Sequence, residues 1–384
     1  MICKRKGSEK MEFINVKLSD IGEIVGGSTP STKNPDNYDG NIAWITPKDL
    51  AGYNRVYISR GERNITEAGF KSCSTKMLPK NSVLFSSRAP IGYVAISEND
   101  LCTNQGFKSI IPNDKVDYKF LYYLLKQNKD YIASKGSGST FKEVSGSVMK
   151  GIELSIPKDI NYQRKISKIL FDIDEKIELN NEINNNLYEM QKCYFKEIFK
   201  EQEYHEMRLD DLFVISAGGD APKDKQDLPS NEYIYPIVSN GIENEGIYGY
   251  SKEYKIDKKS VTISARGTIG YKVLRDYNYY PIVRLISLFP KDDSISSEYL
   301  FYALDDIQIL GTGTTQQQLT VPMVKDIRIK VYDVILIKKF TDYSISLNKK
   351  INSNKLENIK LSKLRDTLLP KLMNGEIDLD NIEI

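Results

Sequence analysis

Two arginines in matching contexts are the residues of this chain best placed to do chemistry. Arg88 lies in Val83-Leu84-Phe85-Ser86-Ser87-Arg88-Ala89-Pro90-Ile91-Gly92-Tyr93, and Arg266 in Val261-Thr262-Ile263-Ser264-Ala265-Arg266-Gly267-Thr268-Ile269-Gly270-Tyr271. Both runs follow V-x-x-S-x-R-x-x-I-G-Y. Each arginine comes just past an apolar strand-like run and just before an Ile-Gly turn, where glycine permits close backbone approach. A guanidinium so placed can contact DNA, or it can brace its own loop by bonding carbonyls. Two Gly-rich turns accompany them, Gly136-Ser137-Gly138-Ser139-Thr140 and Gly311-Thr312-Gly313-Thr314-Thr315. Neither carries the lysine of a phosphate-binding P-loop. Backbone amides and the hydroxyls of Ser139, Thr140, Thr314 and Thr315 still suit a DNA phosphate, or the segments are turns and nothing more.

Catalytic constellations are not found. His205 is the single histidine, which rules out any mechanism needing two imidazoles. Cys3, Cys73, Cys102 and Cys193 are scattered, with no C-x-x-C pair, against both a disulfide framework and a thiolate zinc site and in keeping with a reducing cytosol. The Asn-Pro-Pro-Tyr or Asp-Pro-Pro-Tyr tetrapeptide of amino-methyltransferases is missing. Nuclease-like triplets occur as Asp174-Glu175-Lys176 and Asp257-Lys258-Lys259, but a chain this rich in lysine and aspartate produces them by chance. No catalytic residue, metal site or bound cofactor is therefore expected, and Trp44 reads as a core residue.

Charge narrows the choice further. Residues 12–157 hold 18 Lys/Arg against 15 Asp/Glu, and residues 201–334 hold 15 against 21, within a whole-chain net charge of +2. A protein that bound nucleic acid alone by bulk electrostatics is usually more basic. The apolar runs all fall far short of the ~20 residues of a membrane span, and no signal peptide is recognisable. Cytoplasmic location is the expectation, with Met11 a candidate natural start.

These motifs sit inside a tandem repeat. Val16-Lys17-Leu18-Ser19-Asp20-Ile21 returns as Met207-Arg208-Leu209-Asp210-Asp211-Leu212, and Phe120-Leu121-Tyr122-Tyr123-Leu124-Leu125 as Tyr299-Leu300-Phe301-Tyr302-Ala303-Leu304. Together with the arginine and glycine motifs they keep order and spacing, their offsets drifting only from 191 to 175. Each copy opens with short β-branched and aromatic runs punctuated by Gly, Pro, Asn and Asp, read as strands and loops. A short amphipathic helix is expected over Tyr118–Gln127 and over residues 297–305, and a closing strand over residues 152–156 and 327–331.

Each copy then ends in a long helix. Residues 163–199 contain neither Pro nor Gly, and their apolar residues keep a 3-4 spacing. The seam includes Ile166, Ile173, Ile177, Asn180, Asn184, Leu187 and Gln191; adding 174 gives Phe340, Leu347, Ile351, Asn354, Asn358, Leu361 and Arg365. A polar pair at one phase of both helices specifies register, so the pair Asn180/Asn184 is expected to meet the pair Asn354/Asn358, centre against centre, if the helices pack antiparallel. About 37 residues make a rod of ~55 Å. Pro370 is expected to break the second helix near its end, with Asn374-Gly375 as the stop.

The ordered set resembles the specificity subunit of type I restriction–modification enzymes over essentially all of residues 12–375. The resemblance rests on the Ser-x-Arg-x-x-Ile-Gly motifs, Asn104-Gln105, Ser239-Asn240-Gly241, Gly246-Ile247-Tyr248-Gly249-Tyr250, and the tail Leu364-Arg365-Asp366-Thr367-Leu368-Leu369-Pro370-Lys371-Leu372-Met373-Asn374-Gly375. The second copy departs from it, with Ile282-Val283 in place of Asn104-Gln105. The resemblance implies an α+β fold in which two mixed α/β target-recognition domains are separated by two long antiparallel coiled-coil helices. Residues 1–11 would be an extension, 12–157 and 203–332 the recognition domains, and 158–202 and 333–384 the spacer helices. It implies binding to double-stranded DNA, two modification subunits carrying S-adenosylmethionine, and a restriction subunit using ATP and Mg; no membrane is involved. The alternative of another class is a non-enzymatic coiled-coil scaffold that binds only protein.

Overall fold

The runs Val83–Ser87 and Ser260–Ser264 contain no exposed residue, the pattern of central strands covered on both faces. They are the middle of the two sheets around which the chain is organised. The computed structural model describes residues 12–138, 142–311 and 317–379. It divides into one unit made of Met1–Glu182 with Lys355–Ile384 and a second made of Ile183–Asn354. The expected extension 1–11 and the site residues Ser139, Thr140, Thr314 and Thr315 lie outside the described residues.

In the first unit a five-stranded sheet runs in the order Gly22–Gly26, Lys108–Pro112, Val83–Ser87, Ile91–Ser97, Tyr57–Ile58, antiparallel except for its last pair. Side chains alternate across its plane. Val83 and Phe85 join the main core with Phe120, Leu121 and Tyr123 of the helix Tyr118–Gln127, while Leu84 points into a second cluster with Val25, Ile45 and Phe107. Asp117 caps that helix by accepting the Phe120 N–H at 2.9 Å. The strand Phe13–Lys17 pairs antiparallel with Glu153–Pro157, tying the start of the copy to its end. Trp44 is buried, as expected of a core residue, and donates its indole N–H to Ser28 O.

The second unit repeats this plan. A four-stranded antiparallel sheet has the order Phe213–Ala217, Leu285–Pro290, Ser260–Ser264, Lys272–Arg275, and His205–Arg208 pairs with Arg328–Val331. The helix Ser297–Ala303 is capped by Ser296 where the first copy uses Asp117. Among the described residues the copies differ at the margins: Tyr57–Ile58 extends the first sheet alone, whereas Ile247–Ser251 pairs antiparallel with Tyr235–Val238 in the second.

The long helices are Ile160–Ile198 and Val334–Met373. In the first unit residues 160–182 pack antiparallel on residues 355–373; Asn180 donates to Asn358 Oδ1 at 2.8 Å and Arg365 meets Asp174 at 2.6 Å. In the second unit residues 183–198 pack antiparallel on residues 334–354; Asn354 donates to Asn184 Oδ1 at 2.8 Å and Gln191 bonds Asn348 at 3.2 Å. Ile166, Asn180, Asn184, Ile351 and Asn354 are buried, and Ile173, Ile177, Leu347, Asn358 and Leu361 are half-buried.

One expectation is corrected. Pro370 does not end the second helix, which continues to Met373. A proline at this point forfeits one late backbone bond, and burial of Leu372 and Met373 in the core of the first unit holds the final turn. Gly375, in the left-handed region at φ +69°, then turns the chain away.

Candidate nucleic-acid interface

Arg88 and Arg266 occupy the same corner of their respective units, each one residue or two beyond the end of a central strand. The corners are built alike. In the first unit the Ser87 N–H bonds Gly106 O at 2.7 Å and Ser87 O accepts the Val144 N–H at 3.0 Å. In the second the Ala265 N–H bonds Arg284 O at 2.8 Å and Ala265 O accepts the Leu319 N–H at 2.8 Å. Ser87 thus corresponds to Ala265, and Gly106 to Arg284. A neighbouring loop packs equally closely on both: a Cβ on Gly27 would meet Thr103 O at 2.1 Å, and one on Gly218 would meet Ile282 O at 2.1 Å. Only glycine fits there.

Electrostatics separates the two corners. Arg88 is paired with Glu143 at 3.5 Å, and Lys108 reaches the same carboxylate at 3.3 Å. Glu143 is fixed opposite the Gly-rich turn, exchanging backbone bonds with Ser137 at 2.9 and 3.0 Å. One acid therefore neutralises much of the first corner's charge. Beside it Gln105 is exposed and accepts a hydrogen bond from the Thr29 hydroxyl.

The second corner opens into a concavity of about 850 Å³ whose walls include Asn240, Arg266, Gly267, Arg284 and Gln317. Asn240 donates to Arg266 O at 2.8 Å, and its own carbonyl accepts the Ser264 hydroxyl at 2.9 Å. Among the described residues no carboxylate lines this concavity and neither guanidinium has an acidic partner. Gly267 and Gly270 supply the positive φ of the turn, at +76° and +83°. Two free guanidinia with two amides beside them can donate to planar pairs of acceptors, such as a base edge or a phosphate.

Arg284, Glu143 and Lys108 belong to these corners although no motif marks them. Setting the copies side by side one residue beyond Ile282-Val283 places Arg284 opposite Gly106, and that is the one signal the sequence carries. Among the described residues no group of three or more His, Cys, Asp or Glu side chains could hold a metal ion. Among them, too, no helix is long and apolar enough to cross a membrane.

Residues 10–189 and 201–358 match the family described as the type I restriction modification DNA specificity domain. The type I restriction enzyme MjaIX specificity subunit of Methanocaldococcus jannaschii is 34% identical, over 95% of this chain and 94% of that one. The EcoR124I/EcoR124II specificity subunit of Escherichia coli is 29% identical over 51% of this chain and 47% of its own length. The crystal structure of a type I system S subunit from M. genitalium shares the fold, with a TM-score of 0.60 at 18% identity, covering 97% of this chain and 99% of that chain.

Proposed function

This chain belongs to the family of DNA specificity subunits of type I restriction–modification enzymes, and on that premise we propose that it reads an asymmetric, two-part DNA site. Each unit takes one part, and the chain docks the modification and restriction subunits that act there. The observation carrying this reading is repetition with variation. One corner recurs in both units, yet it displays an acid-paired arginine beside Gln105 in the first and two unpaired arginines in the second. Unlike donor sets select unlike bases, so the two half-sites differ.

Residues 12–157 and 203–332 are the two readers, and the helical segments 158–202 and 333–384 set the distance between half-sites. Leu356, Ile359 and Leu364 in the first unit, and Met190 in the second, are large apolar side chains left about half exposed or more on the long helices. Such side chains support docking of the modification subunits on the helices. Adenine methylation with S-adenosylmethionine, and restriction with ATP and Mg, then belong to those partners, which flip the target base out of the duplex. The chain is non-catalytic and acts in the cytoplasm. Modest net charge suffices because the partners share the phosphate contacts.

The test is an exchange of residues 12–157 for those of a relative, followed by sequencing of methylated bases in DNA modified by the complex. One half-site should change and the other persist. Change in both would contradict separate readout. Assembly with protein partners but no sequence preference would favour the protein-only scaffold.

A further inference from the structure

We propose that Arg284 reads a guanine in the half-site taken by the second unit, donating through its guanidinium fork to the O6 and N7 acceptors in the major groove. This rests on the reading above that the chain selects DNA sequence.

Three observations carry it. Arg284 holds φ +71°, a conformation that a long side chain adopts only at a conformational cost, and one retained where a site requires it. Its backbone is fixed rather than loose, because its carbonyl accepts the Ala265 N–H at the end of the central strand. Its side chain is exposed on the concavity shared with Arg266, Asn240 and Gln317, and among the described residues no carboxylate lines that concavity to occupy the fork. The equivalent position of the first unit is Gly106, where a Cβ would meet Pro47 Cγ at 2.7 Å. No side chain can be presented there, so this reader is a property of the second unit alone. An unpaired, pre-positioned guanidinium matches guanine better than any other base edge, since guanine alone offers two adjacent acceptors in the major groove.

The experiment uses the complex of this chain with its modification subunits and duplexes carrying its methylation site with each base pair varied in turn. Wild type is compared with Arg284→Lys and Arg284→Gly. The glycine variant copies the first unit and relieves the backbone, so its melting temperature should equal or exceed that of wild type. Both variants should lose discrimination at one G·C pair in one half-site by about 5- to 150-fold, the ratio corresponding to a lost bidentate contact. Lysine fails because it keeps the charge but not the fork. In wild type, 7-deazaguanine at that pair should weaken binding, and the glycine variant should not distinguish it from guanine. Equal weakening on all sequences with a shallower salt dependence would assign Arg284 to a phosphate and overturn the proposal, as would a lowered melting temperature with recognition intact. A wild-type complex with no sequence preference would instead overturn the function itself, and this proposal with it.

Discussion

Arg365 of the second long helix reaches Asp174 of the first, Nη1 to Oδ1 at 2.6 Å, while the pair related to it by the internal repeat, Gln191 and Asn348, is neutral and bonds at 3.2 Å. The same step of the antiparallel packing is thus ionic in one unit and an amide pair in the other. Asp174 and Arg365 are largely buried, and the Tyr123 hydroxyl donates to the second aspartate oxygen at 2.7 Å. Burial, reinforced by that carboxylate, pushes the Tyr123 hydroxyl well above its ordinary value. Burial alone would lower the Arg365 guanidinium, but the charge and hydrogen bond of Asp174 outweigh it and hold the group above its usual range.

Removing one partner of this pair should cost far more than replacing both. Arg365→Ala strands a buried carboxylate and should lose about 3–5 kcal/mol in urea unfolding. The double variant Asp174→Asn with Arg365→Gln copies the amide pair of the second unit and should recover most of that loss. Additive losses in the double variant would show that the two residues are not coupled.

The asparagines should act on register more than on stability. Asn180 donates to Asn358 Oδ1 and Glu357 Oε2, and Asn354 donates to Asn184 Oδ1, each at 2.8 Å. Asn184→Ala alone should cost about 1–3 kcal/mol, because it leaves the buried Asn354 amide unpaired. Replacing Asn180, Asn184, Asn354 and Asn358 together with leucine should raise the melting temperature while admitting other registers or oligomers. Light scattering that finds one uniform monomer, with an unchanged methylation site, would deny the asparagines this role.

Stability should depend on pH through Glu178. Burial raises its carboxyl above the ordinary value of 4.5, against the Val56 N–H, which donates to Oε1 at 2.6 Å, and nearby Arg55. A raised carboxyl means that the folded state holds the proton more tightly than the unfolded chain. The fold is therefore relatively favoured at low pH, and loses that advantage as pH rises from 4.5 through the folded value. Glu178→Gln, which keeps an acceptor oxygen and removes the charge, should melt on the order of 1–2 °C higher at pH 8. The difference should vanish below pH 4.5, and thermal melts across that range would reveal a constant gap if the charge were irrelevant.

Much of this architecture is legible in the chain alone. The duplication, both long helices and the meeting of the pair Asn180/Asn184 with the pair Asn354/Asn358 follow from order, offset and a 3-4 apolar spacing, while the fold decides that Asn180 bonds Asn358 and Asn184 bonds Asn354. Such periodic signals survive because each helix turn repeats the same demand on its buried face. The arginine motifs likewise mark both corners, since strand burial and an Ile-Gly turn are local requirements.

What each corner can do was decided only by the fold. Nothing near Arg88 in the chain announces Glu143, which arrives opposite the Gly-rich turn and takes up its charge. Nothing in Ile282-Val283-Arg284 announces that the arginine will stand at φ +71° in a concavity that, among the described residues, no carboxylate lines. The Asp174–Arg365 pair joins positions 191 residues apart, and the guanidinium of buried Arg275 is held by Thr262 Oγ1, the Tyr277 hydroxyl and Glu245 O. Backbone periodicity is written residue by residue, but the charge state and accessibility of a side chain depend on whichever distant groups packing brings within a few ångströms, where the low dielectric makes each partner count.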